Sequence, residues 1–345
     1  MIAHFTVSRY PVCMRPKRPS AVLQGIGARA LLVTNVINIR YLTGVKLTTG
    51  ILLVTQRSFQ LFVDSRYTEA AAKTAYPSIE VVPVQKLESV LKNVRSCAFE
   101  ANDITVDRFT NWKRKFKNTK FVQTTGVVEE FRRTKDPEEL RKFRRAQRIT
   151  QEMLKRVPAL LRRPISEHAV AWKLREWAEE LGADSLSFEP IVAFGTHTSR
   201  PHHRPTHRIL QKGHVVQVDV GAVYDGYCAD QSAVYFTDRM TPLQKKMHAA
   251  VKNAFNASME RVLPGVSTRA LDAGARDVLR KHGFEEYFLH SLGHGVGLEV
   301  HEGPNLSSKA PDKNLLKNEI VTIEPGVYLP GKFGMRLETE VIVGD

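Results

Sequence analysis

The stretch His214-Val-Val-Gln-Val-Asp219-Val-Gly-Ala-Val-Tyr224-Asp-Gly-Tyr-Cys-Ala-Asp230-Gln-Ser-Ala-Val-Tyr-Phe236 decides how this chain folds. Val216, Val218 and Val220 alternate with Gln217, Asp219 and Gly221, the period of a strand with one buried face. Tyr224-Asp225-Gly226 offers turn chemistry, and a second alternating run passes through Asp230, Ser232 and Val234, so the segment reads as a β-hairpin. With the turn at 224–225 or at 225–226, residue 219 falls opposite 230 or opposite 232. Either way both aspartates project from one face within a diagonal step of each other. Neighbouring carboxylates repel, and burying an unpaired ion is costly or forces it to take up a proton. The stretch holds no Lys or Arg, so a distant basic side chain or a metal must compensate these acids, unless both are solvated on a sheet rim.

The rest of the chain bounds the answer. Its 345 residues are long for one core, which predicts two domains, and 42% apolar with 25% charged residues is ordinary for a globular protein. No run of about 18 apolar residues is present, which excludes a spanning helix. Residues 1–20 read as a basic, loose leader with Arg9, Arg15, Lys17 and Arg18 among three prolines, and without the apolar core of a secretory signal. Cys13, Cys97 and Cys228 are too few and too scattered for a disulfide framework, which fits a cytoplasmic location. The net charge of +15 is unevenly placed: residues 1–135 carry 22 Lys/Arg against 9 Asp/Glu, and residues 136–345 carry 29 against 27. The basic run Lys113, Arg114, Lys115, Lys117 and Lys120 reads as the solvated face of an amphipathic helix, because no nucleic-acid motif accompanies it, and no nucleic-acid partner is assigned. Eleven of the twelve histidines follow residue 160, so the chemistry belongs to the second part.

Between residues 21 and 130, the runs 30–34, 51–55, 59–63, 80–84 and 96–99 read as strands, and 65–75, 86–94 and 105–117 as helices. This is an α/β domain without a nucleotide motif. A second domain, 131–345, opens at Asp136-Pro137-Glu138-Glu139, where Asp136 can cap a helix and Glu139 can close a capping box. That helix should run until Pro158 or Pro164 disturbs it. Ser166 opens another helix, which Gly182 can close. The plan recurs at Thr241-Pro242 and at Ser267 with Gly283, offsets of 105 and 101 residues, which predicts an internal duplication. The duplication demands a second acid-bearing hairpin. Ile320-Val-Thr-Ile-Glu324 leads into it, Pro330-Gly331-Lys332 turns, and Gly334-Met-Arg-Leu-Glu338 returns, with Gly331 midway between the two glutamates.

Four carboxylates in one cavity call for cations, and two metal ions are the natural number. His294, in Gly293-His294-Gly295-Val-Gly-Leu-Glu-Val-His301-Glu302, is the candidate imidazole ligand. Its glycine neighbours permit close backbone approach, and Val296, Leu298 and Val300 read as a continuing strand. Strand parity would turn His301 away from His294, so His301 is given a cavity role. His197, His202 and His203 lie in a proline-bounded loop before the first hairpin, a segment able to present side chains over a site or to be a plain polar surface loop.

Asp219, Asp230, His294 in G-H-G-V-G-L-E-V-H-E, Glu324 in T-I-E-P-G and Glu338 in G-M-R-L-E resemble, in order and spacing, the ligands of the pita-bread metallopeptidases, a family that includes Xaa-Pro aminopeptidases and prolidases. Asn38-Ile-Arg-Tyr-Leu-Thr-Gly44 and Val63-Asp-Ser-Arg-Tyr67 resemble the N-terminal domain of the same enzymes. The resemblance implies an α/β N-terminal domain followed by an α+β pita-bread (creatinase/aminopeptidase) catalytic domain with pseudo-two-fold duplication. It also implies that Asp219 holds one metal, His294 and Glu324 chiefly the other, and that Asp230 and Glu338 bridge. His202, His301 and Glu324 would be catalytic. The ligand set is mostly hard oxygen, which suits Mn²⁺, with Co²⁺ or Zn²⁺ able to substitute. Two ions activating a shared water would hydrolyse the bond between an N-terminal residue and proline. The expected partners are peptides with proline in second place and a second copy of the chain as a homodimer, with no membrane.

Two departures bear on that expectation. Asn305 stands where dipeptide-cleaving relatives often present an arginine, which favours an aminopeptidase over an Xaa-Pro dipeptidase. Ala233 stands where an arginine is common, beside Asp230. A non-catalytic binding module on the same fold, suited to the basic first domain, and a metal-independent creatinase-like hydrolase are the remaining alternatives.

Overall fold

A computed structural model describes residues 19–345; the expected leader and Cys13 lie mostly or wholly outside them. The chain forms two compact units, one up to Arg132 and one from Arg133.

The first unit contains α1 (Pro19–Val22) and a six-stranded sheet of order β4-β3-β2-β1-β5-β6. Its strands are β1 (Ala30–Val33), β2 (Ile51–Thr55), β3 (Phe59–Val63), β4 (Ile79–Pro83), β5 (Ser96–Glu100) and β6 (Lys120–Thr124). Five were expected. The edge strand β6 was not, because Lys120-Phe-Val-Gln-Thr124 lacks the continuous burial of β1. Helices α3 (Ser65–Thr74), α4 (Leu87–Leu91) and α5 (Val106–Lys115) match the expected segments. In α5, Trp112 is buried while Lys113, Arg114 and Lys115 are exposed and form a solvated helix face. Lys117 lies in the turn that follows and Lys120 begins β6, so the basic run is not one helix face as expected. Two further helices, α2 (Val36–Thr43) and α6 (Val127–Arg132), escaped the sequence reading. The start of α2 is fixed by the Asn35 side chain, which accepts the Ile37 and Asn38 N–H groups, and its end by Gly44 at φ 79°.

The second unit repeats a helix–helix–hairpin plan. Helix α7 (Pro137–Leu160) starts at the capping box of Asp136 and Glu139, and buries Leu140, Phe143, Ala146, Ile149, Met153 and Val157 at helical spacing. It passes through Pro158 and ends before Pro164, the later of the two expected limits. The Leu154 carbonyl, which Pro158 cannot serve, accepts the Tyr235 hydroxyl at 2.8 Å instead. Ser166 caps α8 (Glu167–Glu180), which packs on α7 and on β7 (Ser185–Leu186) and β8 (Ile191–Phe194). Thr241, in a capping box with Gln244, starts α9 (Pro242–Met259), and Ser267 caps α10 (Thr268–Lys281).

The hairpins hold their register through their full length. In the first, β9 (Val215–Val220) pairs with β12 (Gln231–Phe236), placing Asp219 opposite Ser232. Beyond a break at Gly221, β10 (Ala222–Tyr224) pairs with β11 (Tyr227–Cys228) in the same register. The turn is at Asp225-Gly226, both at positive φ, so the second of the two expected registers is the real one. In the second, β15 (Ile320–Ile323) pairs with β18 (Thr339–Ile342), and β16 (Gly326–Leu329) with β17 (Phe333–Arg336) about Gly331 at φ 71°. Between these hairpins lie β13 (Gly293–Gly295) and β14 (Glu302–Leu306), and β13 joins β15. The expected strand through Val296, Leu298 and Val300 does not form. The ladder shifts after His294 and the chain bends through 297–301 before β14. A single bridge, Ser232 to Glu338, connects the two hairpins.

Candidate metal centre

The two hairpins aim their acids at one point. Asp219 is the next-to-last residue of β9, Asp230 lies between β11 and β12, Glu324 follows β15 and Glu338 lies between β17 and β18. Asp219, Asp230 and Glu338 form one group whose ligand atoms lie within 4.8 Å of one another; His294, Glu324 and Glu338 form a second, with Glu338 common to both. His294 is brought in on β13 by glycines that nothing larger could replace. A Cβ on Gly293 would stand 2.0 Å from the Thr322 carbonyl oxygen, and one on Gly295 2.1 Å from that of Gly303. The imidazole Nδ1 lies 3.0 Å from the Gly295 carbonyl, which can only accept, so Nδ1 carries the proton. Nε2 is thereby left with its lone pair directed at Asp230, 3.6 Å away, and Glu324, 3.4 Å away.

The electrostatics are those of a cage built for cations. Burial, then Glu338, Asp219 and Glu324, push the Asp230 carboxyl well above the ordinary range. Burial, then Glu324 and Asp219, do the same to Glu338, and burial with Asp219 brings Glu324 to about 8. Burial lowers His294 to about 4, so the ring is neutral, the form that ligates metal. Asp219 Oδ1 is buried without a hydrogen-bond partner. An orphaned carboxylate oxygen, three further crowded acids and a bare imidazole nitrogen fit a pair of divalent ions.

One cation is supplied by the chain itself. Arg336, buried on β17, donates from Nη2 to Asp219, from Nε to the Ser232 hydroxyl at 2.9 Å and from Nη1 to the Tyr328 hydroxyl at 2.8 Å. Ser232 in turn donates to Glu338 at 2.8 Å. The basic partner sought for the first hairpin is therefore donated by the second, and four ionised acids facing one guanidinium still leave three negative charges uncompensated. Arg336 was quoted in the sequence only as part of a motif. Its signal was parity: it lies two residues before Glu338 on the return strand and so shares its face. Two further residues were missed. His290 Nδ1 donates to the Ser291 carbonyl at 2.8 Å, its Nε2 lies 3.0 Å from the Tyr328 hydroxyl, and burial lowers its pKa to about 3. Glu340, also buried, accepts the Asp230 backbone N–H and the Gln231 side chain.

His301 lies in the bend rather than on a strand, so the parity argument that turned it away does not apply. Its ring centroid is 4.3 Å from that of His294, and it can join Asp230 and His294 within 4.8 Å. His202 is exposed in the turn after a 3₁₀ segment, Gly195–Ser199. His197 and His203 do not join this centre; both bond Glu167. Asn305 faces His294 across the β13–β14 ladder, and Ala233 pairs with Val218.

A duplicated helix–helix–hairpin frame closed over an acid-lined centre defines the pita-bread class of hydrolases. Residues 141–345 match metallopeptidase family M24 and residues 15–134 the creatinase/prolidase N-terminal domain, and the chain belongs to this family of metallopeptidases. It is similar to an Xaa-Pro dipeptidase from Bacillus anthracis, with 30% identity, 94% of this chain and 93% of that one covered, and a TM-score of 0.90. An X-Pro aminopeptidase from Thermotoga maritima MSB8 shares 31% identity, with 94% and 95% covered and a TM-score of 0.84. The uncharacterized peptidase YqhT of Bacillus subtilis is 30% identical over 325 residues, 92% of each chain.

Proposed function

We propose that this chain is a dinuclear-metal-dependent aminopeptidase that hydrolyses the bond between an N-terminal residue and a following proline. The observation that carries the choice is Asn305, directly across the ladder from His294. The free carboxylate of a dipeptide would need a cation at that edge, which an amide does not offer, whereas a longer peptide has no carboxylate there.

In this reading residues 131–345 are the catalytic domain and 21–130 the creatinase/prolidase-type N-terminal domain. Asp219, Asp230, His294, Glu324 and Glu338 would hold the two ions, Asp219 chiefly one and His294 with Glu324 chiefly the other; Mn²⁺ would suit the oxygen-rich set, with Co²⁺ or Zn²⁺ as substitutes. When bound, two such ions acidify a water and polarise the scissile carbonyl. Glu324 accepts and relays the proton of the attacking water, and His202 and His301 donate hydrogen bonds to the carbonyl oxygen as it gains charge. Arg336 holds Asp219 in place through its guanidinium. A homodimer in the cytoplasm completes the reading; the free thiols of buried Cys97 and Cys228 suit a reducing compartment. Xaa-Pro dipeptidase activity is the second reading, favoured by the likeness to the Bacillus anthracis enzyme of that name.

The test compares an Xaa-Pro-Xaa tripeptide with an Xaa-Pro dipeptide after chelation and again after Mn²⁺ is restored. Metal-dependent cleavage of the tripeptide is expected. Cleavage of the dipeptide alone would overturn the aminopeptidase assignment, and silence on both with no bound metal would favour a binding module.

A further inference from the structure

Among the described residues outside the acid cage, one carboxylate has no solvent exposure and no ion pair to an Arg or Lys. Glu167 is the first residue of α8 and has no solvent exposure. An acid in the first turn of a helix ordinarily sits in water, where it still complements the helix dipole, so complete burial of this one demands compensation. Five donors supply it. The Phe194 N–H (2.8 Å) and His197 Nδ1 (2.8 Å) reach Oε1, while His203 Nε2 (2.9 Å) and the Thr206 N–H (2.9 Å) and hydroxyl (2.6 Å) reach Oε2. An ionised carboxylate only accepts, so each ring turns an N–H toward it.

All five donors lie between Phe194, the last residue of β8, and Thr206, and they bracket Pro201-His202. Oε1 takes the side of the loop that precedes His202 and Oε2 the side that follows. The opposite flank of the loop is tied to the second hairpin: the Gly334 N–H donates to the Thr198 hydroxyl at 2.9 Å, and Arg336 Nη1 lies 3.5 Å from the Pro201 carbonyl. His203 is buried beside His202, which is exposed. A loop that needed only to satisfy its own backbone could do so with water at its surface. This one is instead drawn onto two oxygens of a buried anion.

We propose that Glu167 is a positioning residue for the proposed hydrolysis: by gathering Phe194, His197, His203 and Thr206 onto its two oxygens, it fixes the loop that presents His202 to the substrate. The inference rests on the reading that His202 faces the reacting carbonyl. Its signature is that Glu167 acts through His202, so the two residues should not contribute independently.

The experiment uses the full chain loaded with Mn²⁺ and an Xaa-Pro-Xaa tripeptide, with kcat and KM measured for wild type, E167Q, H202A and the double variant. E167Q should lower kcat by about 10- to 100-fold, the cost of an ångström-scale misplacement, with KM and manganese content little changed. In the H202A background the same substitution should cost nothing further. A loss from E167Q that multiplies with that of H202A would overturn the proposal while leaving the role of His202 intact. H202A with wild-type kcat would sink both, since nothing would remain to be positioned. Should E167Q fail to fold, T206V removes a single donor and keeps the charge; it should lower kcat by a smaller factor, about 3- to 10-fold, again absorbed by H202A, and additivity there would equally overturn the idea.

Discussion

The two halves of the second unit share a scaffold and differ in where they place their acids. Both open with capped helices and close with a register-true hairpin, yet Asp219 faces Ser232, with Asp230 a diagonal step away, whereas Glu324 and Glu338 fall at register positions directly across from each other about Gly331. The helix starts differ in the same manner. In the first half the acid belongs to the helix: Glu167, buried, reaches out to the loop that carries His202. In the second it belongs to the loop: Asp312, exposed, accepts the Ser267 hydroxyl at 2.7 Å, the Thr268 hydroxyl at 3.2 Å and the Arg269 N–H at 3.1 Å. The frame is shared while the two acids serve different segments, Glu167 gathering the loop that carries His202 and Asp312 closing the start of a helix.

The largest expected effect tests the sharing of Glu338 between the two ligand groups. E338Q should lose both ions by elemental analysis and lower kcat/KM by at least ~1000-fold, whereas D219N, which touches one group only, should retain one ion per chain. Equal metal loss in both variants would erase the distinction drawn between the hairpins. A smaller effect concerns charge. Glu324, Asp230 and Glu338 have carboxyls raised above their unfolded values by burial and mutual repulsion, Glu324 to about 8. Above roughly pH 6.5, where the lowered His290 and His294 are neutral folded or unfolded, these carboxyls make the folded, metal-free chain bind more protons than the unfolded chain, so its stability falls as pH rises. The metal-free Tm should be ~3 °C or more lower at pH 8 than at about pH 6.5, and Mn²⁺ should remove the difference. A metal-free Tm that holds level or rises with pH would mean the cage acids are not crowded. The smallest effect concerns the second helix start: D312A should lower Tm by no more than ~3 °C and leave kcat unchanged, because Asp312 is exposed and its hydrogen bonds serve the start of α10. A loss of kcat comparable to that of E167Q would show that the two helix starts are not divided in duty.

Local signals made much of this legible in the sequence. The caps at Asp136, Ser166, Thr241 and Ser267, the two hairpins and the offset between copies follow from hydrogen-bonding and turn chemistry within a few residues. So did the convergence of Asp219, Asp230, Glu324 and Glu338, because strand parity fixes the face of each acid. What was missed depends on distant partners. The choice between Pro158 and Pro164 as the limit of α7 stayed open because the hydroxyl of Tyr235, which serves the freed Leu154 carbonyl, lies 81 residues from that carbonyl. The bend at 297–301 was read as strand because Val296, Leu298 and Val300 alternate, while the register shift after His294 shows only in the pairing with β14. Arg336, Tyr328 and His290 form a chain of contacts that no local window contains, and the duty of Glu167 is set by donors up to 39 residues away. Helix α2 was a different kind of miss, since Asn35 and Gly44 mark both of its ends in the sequence.

The contact between Asp219 and Arg336 spans 117 residues and also governs the order in which the molecule can assemble. Each hairpin can zip from its own turn, at Asp225-Gly226 or at Gly331, without meeting the other's acids. Joining two such distant segments is the slow, entropically costly event, so the repulsion between the two pairs of carboxylates is encountered only after most of the fold exists. An ion that recognises only the closed cage arrives after that barrier. It therefore prolongs the lifetime of the finished protein by slowing unfolding, and leaves the speed of folding almost untouched.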